Sequence, residues 1–147
     1  MKERAPTYLD RFMSQVLVRC PACGEAAVFA RPAPYGSGRM TCASCGAVRS
    51  ASTLRLVPEP GRRELAADEF VPWLATPCCG ETLWAANLAH VAALEEIVGA
   101  RLRERTRDEV HGWSNQAMSS RLPGWVLAAK HRDEVLVGLE RLRAMAP

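Results

Sequence analysis

The chain has 147 residues, 48% of them apolar, 24% charged and 6% aromatic, the composition expected of an ordinary soluble protein and a length that excludes an elaborate multidomain machine. Lys and Arg number 19 against 16 Asp and Glu, and the resulting +3 is far from the strongly basic balance of a dedicated nucleic-acid protein. At this length a chain buries roughly 68–70% of its unfolded surface, enough for one sound core or two small ones.

The N-terminus opens with charges and places Asp10, Arg11, Ser14 and Gln15 before the first apolar run, Val16 to Val18, so no signal peptide is read there. No charge-free run approaches the ~20 residues of a membrane span. The expected setting is cytoplasmic and away from membranes. In a reducing compartment, regularly spaced cysteines serve as metal ligands or redox groups more often than as disulfides.

Short β-like runs come first: Gln15 to Arg19, Ala27 to Ala30, Arg39 to Thr41, Ala47 to Ser50 and Leu54 to Val57. Val57-Pro58-Glu59-Pro60-Gly61 then breaks the pattern, because two prolines and a glycine continue neither strand nor helix. A mixed segment with a hairpin turn near Thr76 to Trp84 follows. From Asn87, a residue suited to the N-cap, Val91, Leu94, Val98 and Leu102 recur at helical spacing, which predicts a helix over about 88–107. A second helix is expected over about Ser114 to Arg121, stopped by Leu122-Pro123-Gly124. The last is expected over Arg132 to Ala144, with His131 and Glu134 in the positions of an incomplete capping box. The expected fold is α+β: residues 1–57 as an N-terminal antiparallel ribbon, 58–72 as a linker, and 73–147 as a β-hairpin plus about three helices.

The strongest signal is Cys20-Pro-Ala-Cys23-Gly24 followed, after the 18 residues from Gly24 to Thr41, by Cys42-Ala-Ser-Cys45-Gly46. Two such pairs at this separation predict a zinc site of four thiolates. Two intervening residues let both sulfurs of a pair reach one ion, and glycine after the second cysteine suits the positive-φ position that closes the turn. Residues 16–52 resemble the zinc ribbon of general transcription factor IIB and of many archaeal and bacterial proteins. That resemblance implies a small sheet in which one structural Zn2+ replaces a core. It implies no particular function, since the same ribbon occurs in nucleic-acid binders, enzyme appendages and interaction modules. Val71 to Asn87, Arg121 to Trp125 and Ala129 to Leu136 add a resemblance to small uncharacterised bacterial zinc-ribbon proteins.

Cys78 and Cys79 form a second feature. With His90 they are candidates for a second metal or redox site, against a metal-free hairpin in which Thr76 to Gly80 copies a knuckle and the thiols pack as small apolar groups. Trp73, Trp84, Trp113 and Trp125 fall within apolar patterns and are expected to hold helices against the hairpin.

No phosphate loop, dinucleotide fingerprint or nucleophile elbow is present. A zinc saturated by four thiolates leaves no open position, so no enzyme activity is expected. Two binding roles remain. Arg19, Arg31, Arg39, Arg49 and Arg55 decorate the ribbon and could contact the phosphates of DNA or RNA; alternatively the chain is an adaptor that docks on a protein, with Tyr35 and its Pro-rich loop as the contact. Residues 1–57 hold eight basic and three acidic groups, but four thiolates on Zn2+ would bring the chain from +3 to +1. Part of the arginine excess then offsets the metal centre.

Overall fold

The computed structural model describes residues 9–58, 64–103 and 122–147. Four strands, β1 (Gln15–Arg19), β2 (Ala26–Ala30), β3 (Gly38–Thr41) and β4 (Val48–Ala51), form an antiparallel sheet in sequence order. Alternation along each strand decides which face is buried. The register sets Val16 opposite Phe29 and Phe29 opposite Met40, so these three and the adjacent Val18 and Ala27 line one buried face.

Phe12, Leu54, Phe70, Ala86 and Ile97 cover that face. Phe70 belongs to β6 (Glu69–Phe70), which pairs in parallel with β5 (Arg55–Leu56); its ring lies 5.5 Å from that of Phe29. The segment that reads as a linker therefore contributes a strand and a fully buried ring to this core.

A second core lies between the hairpin β7 (Leu74–Cys78) and β8 (Glu81–Ala85) and the helices α1 (Leu88–Arg103), α2 (Gly124–Leu127) and α3 (Arg132–Ala144). Leu74, Leu83, Val91, Leu94, Val98, Val135, Leu139 and Leu142 fill it. The helical spacing in α1 divides its apolar residues: Val91, Leu94 and Val98 face this core and Ile97 faces the other. Trp73 and Trp125 pack partly buried against the second core, and Trp73 Nε1 donates to the Met145 carbonyl at 2.8 Å. Trp113, the helix expected over 114–121 and the end of α1 beyond Arg103 lie outside the described residues.

The two cores meet along β1. An unpaired strand edge is a template for unwanted pairing, and here it is filled from the same chain. Leu17 N–H donates to the Ala86 carbonyl (2.8 Å), Arg19 N–H to Val71 (2.8 Å), and Trp73 N–H to Leu17 (3.0 Å). Asn87 completes the joint. Its Oδ1 accepts from the His90 N–H at 3.0 Å, as an N-cap should, while Nδ2 donates to the carbonyls of Phe12 (3.0 Å) and Gln15 (2.7 Å).

α3 begins and ends where the sequence predicts, but the capping box is not made. His131 Nδ1 turns back to donate to the Trp125 carbonyl at 2.9 Å, and its side chain makes no cap bond. Among the described residues no helix is long and apolar enough to cross a membrane.

Candidate metal centre

In a sheet of four consecutive antiparallel strands the first and third turns lie at the same end. Those turns carry the two Cys-x-x-Cys-Gly motifs, so the topology delivers all four thiols to one place. Each motif folds locally. Gly24 N–H donates to the Cys20 carbonyl at 2.8 Å and Cys20 N–H to Glu25 at 2.8 Å; Gly46 to Cys42 (2.9 Å) and Cys42 to Ala47 (3.0 Å) repeat the arrangement. Gly24 and Gly46 hold φ of 81° and 77°, a region in which a Cβ is penalised.

The four sulfurs lie within 4.8 Å of one another. The short separations cross between the motifs: Cys20 to Cys45 is 3.7 Å and Cys23 to Cys42 is 3.6 Å. A tetrahedral ion with bonds of ~2.3 Å to sulfur needs sulfur–sulfur edges of about 3.8 Å. The cluster already has the size of such a cage, so these four residues could hold a metal ion. Cys20 and Cys42 are buried against the sheet core, whereas Cys23 and Cys45 face solvent.

The electrostatics within the cage are uneven. Burial raises the Cys20 thiol, but the N–H groups of Cys23 and Ala22 and the thiols of Cys45 and Cys23 outweigh it and bring Cys20 down to about 7. The Glu25 N–H favours a Cys23 thiolate, yet burial and the sulfurs of Cys42, Cys45 and Cys20 push that thiol up to about 12. The Cys20 sulfur ionises readily, and Cys23 and Cys45 then resist. A divalent cation removes that conflict by displacing the remaining protons.

The five arginines do not form one patch. Arg55 is taken by a two-pronged pair with Asp68, both bonds 3.0 Å, across the β5–β6 ladder. Arg31 is half-buried, with Nε donating to the Met13 carbonyl at 2.8 Å and its guanidinium 5.8 Å from the Phe29 ring centre. Arg49 lies opposite Met40 in register, on the core side of the sheet's outer strand. Arg19 and Arg39 remain exposed on the outward face, where Arg39 pairs with Ser50 and Arg19 with Ala26.

The Cys78–Cys79 turn is tighter than a knuckle. Thr76 and Pro77 are in β7, paired with Leu83 and Thr82, and only Cys79 and Gly80 form the loop, with φ of 58° and 78°. The sulfurs of Cys78 and Cys79 lie 3.4 Å apart. His90 does not join them. It is buried at 3% exposure, its Nδ1 accepts from the Ala86 N–H at 2.9 Å, and its ring stacks on Phe12 at 4.9 Å. Burial lowers it to about 4, so it is a neutral core histidine at the joint between the halves.

The third group beside the cysteine pair is Glu134 of α3. Burial, the Cys78 thiol and the Glu134 carboxylate together push Cys79 up to about 12. The sequence offered no local signal for Glu134, because it lies more than fifty residues from the hairpin and only the packing of α3 brings it there. No family model, curated protein or solved structure matches the chain.

Proposed function

We propose that Cys20, Cys23, Cys42 and Cys45 hold one structural Zn2+ and that the chain is a non-catalytic binding module built on this ribbon. The observation that carries the reading is the pair of cross-motif separations, 3.7 and 3.6 Å, in a cage of four sulfurs. Tetrahedral sulfur-only sites take zinc or iron. Four thiolates saturate either ion, so its role is to tie the two turns together. The reading predicts one tightly bound zinc per chain and no visible absorption. A chain that purifies with iron, or Cys45→Ser protein that retains the ion as tightly, would refute it.

Nucleic acid is the first partner class, on the strength of Arg19 and Arg39, which share the outward face of the sheet. Removing a phosphate contact lowers the slope of log affinity against log salt by roughly one. Arg39→Ala should do so, and Arg55→Ala, already paired with Asp68, should not. Binding that is undetectable at low salt removes this class.

A protein partner is the second reading, favoured by a specific observation. Val28, Thr41 and Val48 form a row across the same outward face, with Val48 61% exposed. Tyr35, 45% exposed, stands in the loop between β2 and β3. Val48→Asp would abolish docking of a protein partner and leave a phosphate-driven association with nucleic acid only modestly weakened.

A further inference from the structure

Cys78, Cys79 and Glu134 place their ligand atoms within 4.8 Å of one another, the other convergence of metal-ligating side chains among the described residues. Neighbouring residues in a strand point to opposite faces, so adjacent cysteines ordinarily diverge. The hairpin turn reverses this. Cys79 takes φ of 58°, the one described residue other than glycine with positive φ, and the two sulfurs meet at 3.4 Å.

Two-residue hairpin turns with positive φ at both positions favour Asn-Gly or Asp-Gly, because those residues tolerate the left-handed region. Cysteine has no such advantage. A side chain kept in a sparsely populated conformation that its own chemistry does not favour points to a use for that side chain.

α3 supplies the third donor. Glu134 and Gly138 are four residues apart and share one face of the helix. At Gly138 the helix closes on the hairpin: a Cβ there would lie 2.8 Å from Leu83 Cδ2 and 3.6 Å from Cys78 Sγ. That close approach brings Glu134 up to the sulfurs. Cys78 is buried, Cys79 half-buried and Glu134 exposed, so the group is anchored in the second core and opens to solvent on one side.

We propose that Cys78, Cys79 and Glu134 form a second metal site for a thiophilic divalent cation of the Zn2+ or Cd2+ type, bound by two thiolates and one carboxylate. Both thiol protons pass to solvent on binding. Three protein ligands leave one tetrahedral position for water or an incoming ligand, the pattern of open sites and not of closed structural ones. The site belongs to the hairpin and α3 and does not depend on the ribbon.

The test is titration of the full, reduced chain with Cd2+, followed by ultraviolet cadmium–thiolate absorption and by metal content. Cys79→Ser and Glu134→Gln are the variants, since both positions reach the surface; urea midpoints confirm that they stay folded. Wild type should bind two equivalents. The weaker one should be lost in Cys79→Ser and weakened by at least about tenfold in Glu134→Gln, because even outer-shell partners contribute 10–100-fold to metal affinity. The tighter equivalent should persist in both. Absence of any equivalent that depends on Cys79 overturns the site, and so does a second equivalent of unchanged affinity in Glu134→Gln. Absence of the equivalent independent of Cys79 counts against the ribbon reading instead, so the two failures are distinguishable.

Discussion

Replacing Asn87 by alanine should separate the two halves of the molecule energetically. The side chain has two duties. Oδ1 caps α1 through the His90 N–H at 3.0 Å, and Nδ2 reaches back to the carbonyls of Phe12 and Gln15 at 3.0 and 2.7 Å. Loss of an Asn cap costs about 1 kcal/mol. Each further hydrogen bond contributes about 0.5–1.5 kcal/mol net, with the Gln15 bond at the lower end because it is exposed. The expected loss in Asn87→Ala is therefore about 2–3 kcal/mol.

Asn87→Asp tells the two duties apart. A carboxylate keeps the cap and suits a helix N-terminus, but it sets an acceptor where Nδ2 faced two carbonyls. Urea unfolding of metal-loaded protein, read by tryptophan fluorescence and far-ultraviolet dichroism, measures both variants. If the bonds to Phe12 and Gln15 carry weight, Asp should be destabilised almost as much as Ala. An Asp variant as stable as wild type, or an Ala loss of only about 1 kcal/mol, would show that the bonds to Phe12 and Gln15 carry no weight and leave Asn87 as a plain cap.

Three other outcomes are expected. If Cys20, Cys23, Cys42 and Cys45 hold a metal as proposed, its removal by chelator should speed amide exchange at Cys20, Gly24, Cys42 and Gly46, which close the two turns, while the amides of α3 stay protected; loss of protection throughout the chain would show that the second core does not stand without the ion. His90, held near 4 by burial against an unfolded value near 6.5, is neutral when folded and takes up a proton on unfolding between those values. Stability should thus rise with pH through that window and fall on acidification from about 6.5 to 4, by no more than about 3 kcal/mol, with that component missing in His90→Gln. Gly138→Ala should cost about 1–3 kcal/mol in thermal or urea unfolding, because the new Cβ meets Leu83 at 2.8 Å in a packed core; a neutral result would mean that α3 can lift off the hairpin.

Local chemistry was legible in the sequence. The Cys-x-x-Cys-Gly spacing fixes both turns, since each is closed by bonds spanning four or five residues, and alternation fixes which face of β1 to β4 is buried. Asn87 announces the start of α1, and the apolar spacing bounds α3 at Arg132 and Ala144. What the tertiary structure alone decided are the pairings between residues far apart in the chain. Asn87 reaches Phe12 across 75 residues and Trp73 reaches Met145 across 72.

The arginines show the same division. Their number is visible in the sequence, but that Arg55 is taken by Asp68 and Arg31 by Met13 follows from strand pairing and loop closure. His131 has the spacing of a cap, but its Nδ1 donates to the Trp125 carbonyl on α2 and it makes no cap bond. Cys78 and Cys79 look for a partner among the histidines, yet packing buries His90 beside Phe12 and presents Glu134 instead. Spacing determines what a residue can do within a turn or two of chain, and the packing of the two cores determines which of those capacities remains exposed to a ligand.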